Sequence, residues 1–130
     1  MTTSGSSAHG AFAEQRGAIT LTNTSITTNG ASAYDLFATS GGTISQTGGT
    51  ITRTFAGSST SNDYAIDASG ASSTITLNSL TASTSGQHMV TVNADTQGAV
   101  TLNNVTCLPP GARPPSSPAT FWPPMAVPLS

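Results

Sequence analysis

The chain has 130 residues, room for one domain, with a formal net charge of −2 and only 6% charged residues. It contains no lysine, and its only arginines are Arg16, Arg53 and Arg113, which argues against a nucleic-acid partner, whose phosphates need several cations. No apolar run approaches the ~20 residues that span a bilayer, and Met1–Gly5 lacks the basic and apolar stretches of a signal peptide, so no direct membrane insertion of this segment is expected.

Residues 2–28 and 27–53 repeat one another 25 positions apart without a gap. Thr2, Gly5, Ala8, Phe12 and Ala13 fall on Thr27, Gly30, Ala33, Phe37 and Ala38, and Gly17, Ile19, Thr22 and Ile26 fall on Gly42, Ile44, Thr47 and Ile51. Self-similarity at a period of 20–50 residues marks a stack in which each repeat covers the apolar face of the next. Three β-like runs recur. The first run is Ile19–Leu21, then Ile44–Gln46, Ile75–Leu77 and Val100–Leu102; the second centres on Ile26, Ile51, Leu80 and Val105. The third is Ala8–Ala13, Ala33–Ala38, Asp63–Ala68 and Met89–Ala94. The apolar–polar–apolar triplets have the period-2 alternation of strands with one buried face, and glycine interrupts any window long enough for a helix.

First-run residues are spaced 25, 31 and 25 apart (Ile19, Ile44, Ile75, Val100). Five of the six extra residues fall in the turn around Arg53–Asn62, because Thr27 to Tyr34 is 7 but Thr52 to Tyr64 is 12. The sixth lies between Tyr64 and Ile75, which are 11 apart where Tyr34 and Ile44 are 10. Insertions confined to turns are what stacked repeats tolerate. The pattern predicts an all-β chain, a parallel β-helix with three strands per ~25-residue coil and about four coils over residues 1–106.

Equivalent residues should then stack one strand spacing apart, ~4.8 Å. The predicted interior stacks are Ile19/Ile44/Ile75/Val100, Ile26/Ile51/Leu80/Val105 and Leu21/Gln46/Leu77/Leu102, with Leu36, Ile66 and Val92 inside in the third run. Gln46 interrupts its stack, so its amide must find a partner or turn outward. A leucine-rich repeat lacks its L-x-x-L-x-L frame here, and a β-sandwich gives no reason for an ungapped repeat.

Residues 107–130 hold all eight prolines, the only Trp and the only Cys, and have no repeat. This irregular, Pro-rich C-terminal tail reads either as a disordered, polyproline-type linker or as the product of a frameshift, since a shifted frame can restore glycine turns and alternating aliphatics. Phe121 and Trp122 offer a weak PxxP-type ligand surface.

The string Gly17–Tyr34 (GAITLTNTSITTNGASAY), and again Gly98–Thr106 (GAVTLNNVT), resembles the coils of pertactin-like autotransporter (type V secretion) passengers. The resemblance covers residues 2–106. It implies a right-handed β-helix carried to the outer-membrane surface of a Gram-negative cell by a C-terminal β-barrel that this chain does not contain. It further implies a non-catalytic structural or adhesive role, contacting host or bacterial surface glycans or proteins through ladders of Thr, Ser and Asn. On this reading the chain is a slice of a longer extracellular stalk. The alternative is part of a β-helix carbohydrate-active protein, a polysaccharide lyase or hydrolase or a phage tailspike.

That alternative needs clustered carboxylates. If Tyr34 stacks on Tyr64, Asp35 and Asp67 lie ~8 Å apart on neighbouring strands, within reach of an inverting pair; otherwise both are solvated outward positions, the reading preferred here. His9 and His88 are too far apart to share a metal and read as surface turn residues, and Asp95 lacks a calcium-repeat context, so no metal or other cofactor is expected. The inserted loop is the one candidate contact site, with Arg53, Phe55, Asn62 and Asp63 as its residues.

Overall fold

A computed structural model describes residues 1–55, 63–85 and 89–108. The readings for the 109–130 tail, Asn62 and His88 lie outside the described residues. The described chain is all-β, with eleven strands: β1 Thr2–Thr3, β2 Ala11–Ala13, β3 Ala18–Thr28, β4 Leu36–Thr39, β5 Thr43–Thr54, β6 Asp63–Ser69, β7 Thr74–Asn78, β8 Thr81–Ser85, β9 Met89–Asp95, β10 Ala99–Asn103 and β11 Thr106–Leu108. They form two parallel sheets. One has seven strands in the order β1-β3-β5-β7-β10, with β8 beside β5 and β11 beside β8; the other runs β2-β4-β6-β9.

The register is the sequence repeat made physical. Ile19 pairs with Ile44, Ile44 with Ile75, and Ile75 with Val100. Leu36 pairs with Ala11 and Ile66, and Ile66 with Val92. Parallel pairing needs a crossover between partners, and in each repeat the intervening strand of the other sheet supplies it. The first and second runs, read as separate strands, are continuous in β3 and β5 and break only later, into β7 and β8 and into β10 and β11.

The bend between the two runs occupies one register column: Asn23, Gly48, Ser79 and Asn104, with φ of 49°, 71°, 52° and 53°. Asparagine and glycine tolerate this left-handed region best. At Gly48 a Cβ would lie 2.2 Å from Asn23 Oδ1, so any larger residue requires that side-chain amide to move. A second corner holds the sixth inserted residue. Thr39 pairs with Ser69 and Thr43 with Thr74, leaving three residues at 40–42 but four at 70–73.

One apolar cluster fills the space between the sheets, with Leu36, Ala38 and Ile66 on one side and Ile26, Ile44, Ile51, Ile75 and Leu77 on the other. Leu36 and Ile66 are fully buried, as expected, and Val92 packs against the cluster partly exposed. Gln46 is fully buried opposite Leu21 and Leu77, and its Nε2 donates to the carbonyls of Thr24 (2.7 Å) and Gly48 (3.2 Å). The amide thus pins the bend it precedes.

Three expectations need correction. Ile51 pairs with Ala82, not Leu80, and Ala82 with Cys107, although Leu80, 6% exposed, and Val105 pack into the core as expected. The second run keeps a constant 7-residue distance from the first (19 to 26, 44 to 51, 75 to 82, 100 to 107), and that distance outweighs the larger side chains at Leu80 and Val105. The repeat pattern does not stop at Thr106, because β11 carries it through Leu108. Leu102 is 42% exposed, since its strand β10 is paired only on the β7 side among the described residues.

Candidate functional site

Arg53 does not belong to the loop. It lies within β5, in register with Thr28 and Thr84, and is fully buried. Inward parity follows from Ile51, two residues earlier on the same face. A buried guanidinium must be paired and hydrogen-bonded to offset its desolvation. Its Nη2 donates to the Gly30 carbonyl (2.6 Å) and to Asp63 Oδ2 (3.4 Å), and Nη1 to the Thr28 carbonyl (3.3 Å). The Phe55 ring centroid is 5.6 Å from its Cζ, within cation–π range. Burial lowers the Arg53 pKa, and the charges of Asp63 and Asp35 oppose that shift.

Three of the four proposed contact residues, Arg53, Phe55 and Asp63, are therefore brought together. They form a buried anchor at the base of the insertion, with Phe55 half-buried and Asp63 only 6% exposed.

Asp35 lies in the same interior. It is fully buried, and neither carboxyl oxygen has a hydrogen-bond partner among the described residues. Desolvation pushes its pKa up to about 8, against weaker opposing effects of the Thr28 hydroxyl and the Arg53 charge. Thr28 favours the carboxylate from nearby without completing a hydrogen bond. Burial thus favours the protonated form of Asp35.

Asp67 is on the other side of the four-stranded sheet. It pairs with Phe37 and Asn93, between the inward residues Ile66 and Ala68, and accepts from Asn93 Nδ2 at 2.8 Å. Burial raises its pKa more than that hydrogen bond lowers it. Both expectations for these carboxylates are corrected. They do not share a face, and neither is solvated, at 0% and 5% exposure.

The outer face of that sheet carries a group of aromatic rings that the sequence reading left unassigned. Tyr34 and Tyr64 stack as foreseen, with near-parallel rings 6.3 Å apart. Phe12 stacks on Phe37 at 5.2 Å. His9, read as an idle turn residue, is half-buried; its ring stacks on Tyr34 at 5.2 Å and its Nδ1 accepts the Tyr34 backbone N–H at 3.0 Å. That bond places the His9 proton on Nε2 in the neutral ring, and desolvation followed by the Arg53 charge lowers its pKa.

These rings form two adjoining columns. One runs His9, Tyr34, Tyr64, Val90, and the other Phe12, Phe37, Asp67, Asn93. Rings of neighbouring columns meet at tilts of 44–54° (Tyr34–Phe37, His9–Phe12, His9–Phe37). For Phe12/Phe37 the signal was available, because they are register partners one residue from the inward Leu36 column; strict alternation from Leu36 and Ile66 would instead put Tyr34 and Tyr64 inside.

Comparisons with protein-family models, with curated proteins and with solved structures each return no match for this chain. No group of three or more His, Cys, Asp or Glu residues that could hold a metal occurs among the described residues, and no described helix is long and apolar enough to cross a membrane.

Proposed function

We propose that the chain is a right-handed parallel β-helix, three strands to a coil, and serves as a non-catalytic structural or adhesive segment of a surface-displayed autotransporter-type passenger. The carrying observation is the parallel register: every paired strand meets its equivalent one repeat away, by 25 residues, or by 26 to 31 where the pairing spans one or more of the six inserted residues. A crossover between parallel strands of one sheet is right-handed in nearly all cases, which supplies the hand. Stacked coils hold an elongated body rigid and present a long, uncharged outer surface of Thr, Ser and Asn. Side-chain ladders already run along it: Asn103 Nδ2 donates to Asn78 Oδ1 at 2.9 Å, and Asn78 Nδ2 to Thr47 Oγ1 at 3.4 Å. A body meant to face water with few charges benefits from such mutual satisfaction.

The test is topological. In the source cell, an antibody raised to this chain should label intact cells, and external protease should remove the signal while a cytoplasmic marker survives. Labelling only after permeabilisation would overturn the surface-displayed reading.

A further inference from the structure

The outer face of the seven-stranded sheet carries hydroxyls in a two-dimensional array. Ser25, Thr50, Thr81 and Thr106 are register partners and form one column. Thr2, Thr27, Thr52 and Ser83 form the next, two residues further along each strand. Beyond the bend, Thr20, Ser45, Thr76 and Thr101 form another. All three columns are outward, each one residue from a column of the core such as Ile26 and Ile51 or Ile44 and Ile75. Thr50 and Thr106 are exposed, and Thr52 and Thr81 are half-buried. No outward position of β3, β5, β7, β8, β10 or β11 holds a charged or aromatic side chain.

We infer that this face binds ice. Three observations select a crystalline water surface. The first is spacing. Neighbouring rungs lie ~4.8 Å apart, and outward positions along one strand ~6.6 Å apart, twice the rise of a parallel strand. Tetrahedral O–H···O bonding at ~2.75 Å puts second-neighbour water oxygens ~4.5 Å apart and repeats the hexagonal lattice every ~7.3 Å along its axis. The two pairs of lengths agree to about a tenth. Adjacent columns therefore meet equivalent water oxygens rung after rung.

The second is stiffness. Threonine is restricted at χ1, and the strand ladder fixes the backbone beneath it. The hydroxyls are thus held in place before contact, and little side-chain entropy is lost on binding. The third is composition. Each threonine sets a methyl beside a hydroxyl, so the hydroxyl can take a lattice position while the methyl fills the open space between lattice oxygens. A charged side chain would keep its own hydration shell and hold the lattice off, and the sheet places none there. An ionic partner finds no counter-charge on this face.

The inference rests on the strand register and not on display at a cell surface, so it and the proposed function fail separately. The experiment is ice-affinity partition of the full chain: ice is grown slowly from a dilute, stirred solution, beside a globular protein of ordinary charge content that ice excludes. The chain should be enriched in the ice fraction severalfold over that control. Thr81→Tyr and Thr52→Lys, which raise bulk or charge above the array, should each bring partition down to the control level with an unchanged circular dichroism spectrum. Thr39→Tyr, outward on the four-stranded sheet, should leave it as in the wild type. Should the bulky variants unfold, Thr50→Ser with Thr81→Ser decides the point, because it keeps both hydroxyls and removes two methyls; its retention in ice should fall. Exclusion of the wild-type chain from ice overturns the inference. Wild-type retention by folded Thr81→Tyr or Thr52→Lys, or by the double serine variant, does the same. So does a loss on Thr39→Tyr equal to theirs, which would place the contact elsewhere.

Discussion

Arg53 illustrates how a single residue type misleads when its parity is ignored. Two positions after the inward Ile51, it has no choice but to point inward, and its charge is then held by Asp63, two carbonyls and the face of Phe55. Arg53→Met keeps most of the stem's volume but leaves Asp63 buried without its cation. Breaking a buried pair from one side costs about 3–5 kcal/mol, so urea denaturation should show a loss of that order. The double variant Arg53→Met/Asp63→Asn should recover much of it.

Asp35 gives the pH dependence at the same scale. Its pKa is raised on folding, so the folded state binds more protons than the unfolded chain between roughly pH 4 and 8, and stability falls as pH rises through that window. Asp67 contributes with the same sign, and His9, whose pKa is lowered, with the opposite sign below its ordinary value of 6.5. The thermal midpoint should therefore fall from pH 5 to pH 8. Asp35→Asn should flatten that fall and melt higher than wild type at pH 8.5; an unchanged pH profile would contradict the buried, neutral carboxyl.

Among the elements, the bend between the first and second runs is the most demanding. Its column alternates residues suited to a left-handed backbone (Asn23, Gly48, Asn104) with one that is not, Ser79 at φ 52°. Ser79→Asn should stabilise by up to about 1 kcal/mol, read as a raised thermal midpoint, because the left-handed conformation costs most L-residues that order of energy. Gly48→Ala should do the reverse, since its new Cβ meets Asn23.

Strand positions, register and the inward parity of Leu36 and Ile66 were legible in the sequence because a repeat reports its own alignment: equal spacing between like residues needs no energetic argument. Legibility failed where residue type was weighed above spacing. Leu80 was aligned with Ile51 where Ala82 is the register partner, Arg53 and Asp35 were put outside for their charge, and Asp67, which is on the outer face, was taken as solvated although it is only 5% exposed. Inside a stack, the backbone register decides which way a side chain points, and the polar groups are then satisfied, or neutralised like Asp35, where they land. The Phe12/Phe37 stack was missed for a related reason. Its repetition was noted as evidence of period, and outward parity was not followed to the surface it creates.

For the whole molecule, stability should be graded along the stack. Strands β5 and β6 are paired on both sides, whereas β10 is paired on one and leaves Leu102 exposed. In the proposed coil stack, amide exchange should follow neighbour contacts. Protection should therefore be highest in β5 and β6 and lowest in β1 and β10.

The central claim is the parallel stack with equivalent residues adjacent, and engineered disulfides test it most directly. In a Cys107→Ser background, Thr20→Cys with Ser45→Cys, and Ser45→Cys with Thr76→Cys, place cysteines at register partners on neighbouring parallel strands. Their Cα separation, one strand spacing of ~4.8 Å, falls within disulfide range. Both pairs should oxidise readily in the folded chain, and Thr20→Cys with Thr50→Cys should not. Efficient cross-linking of that displaced pair, or failure of both register pairs under conditions where the chain is folded, would contradict the account.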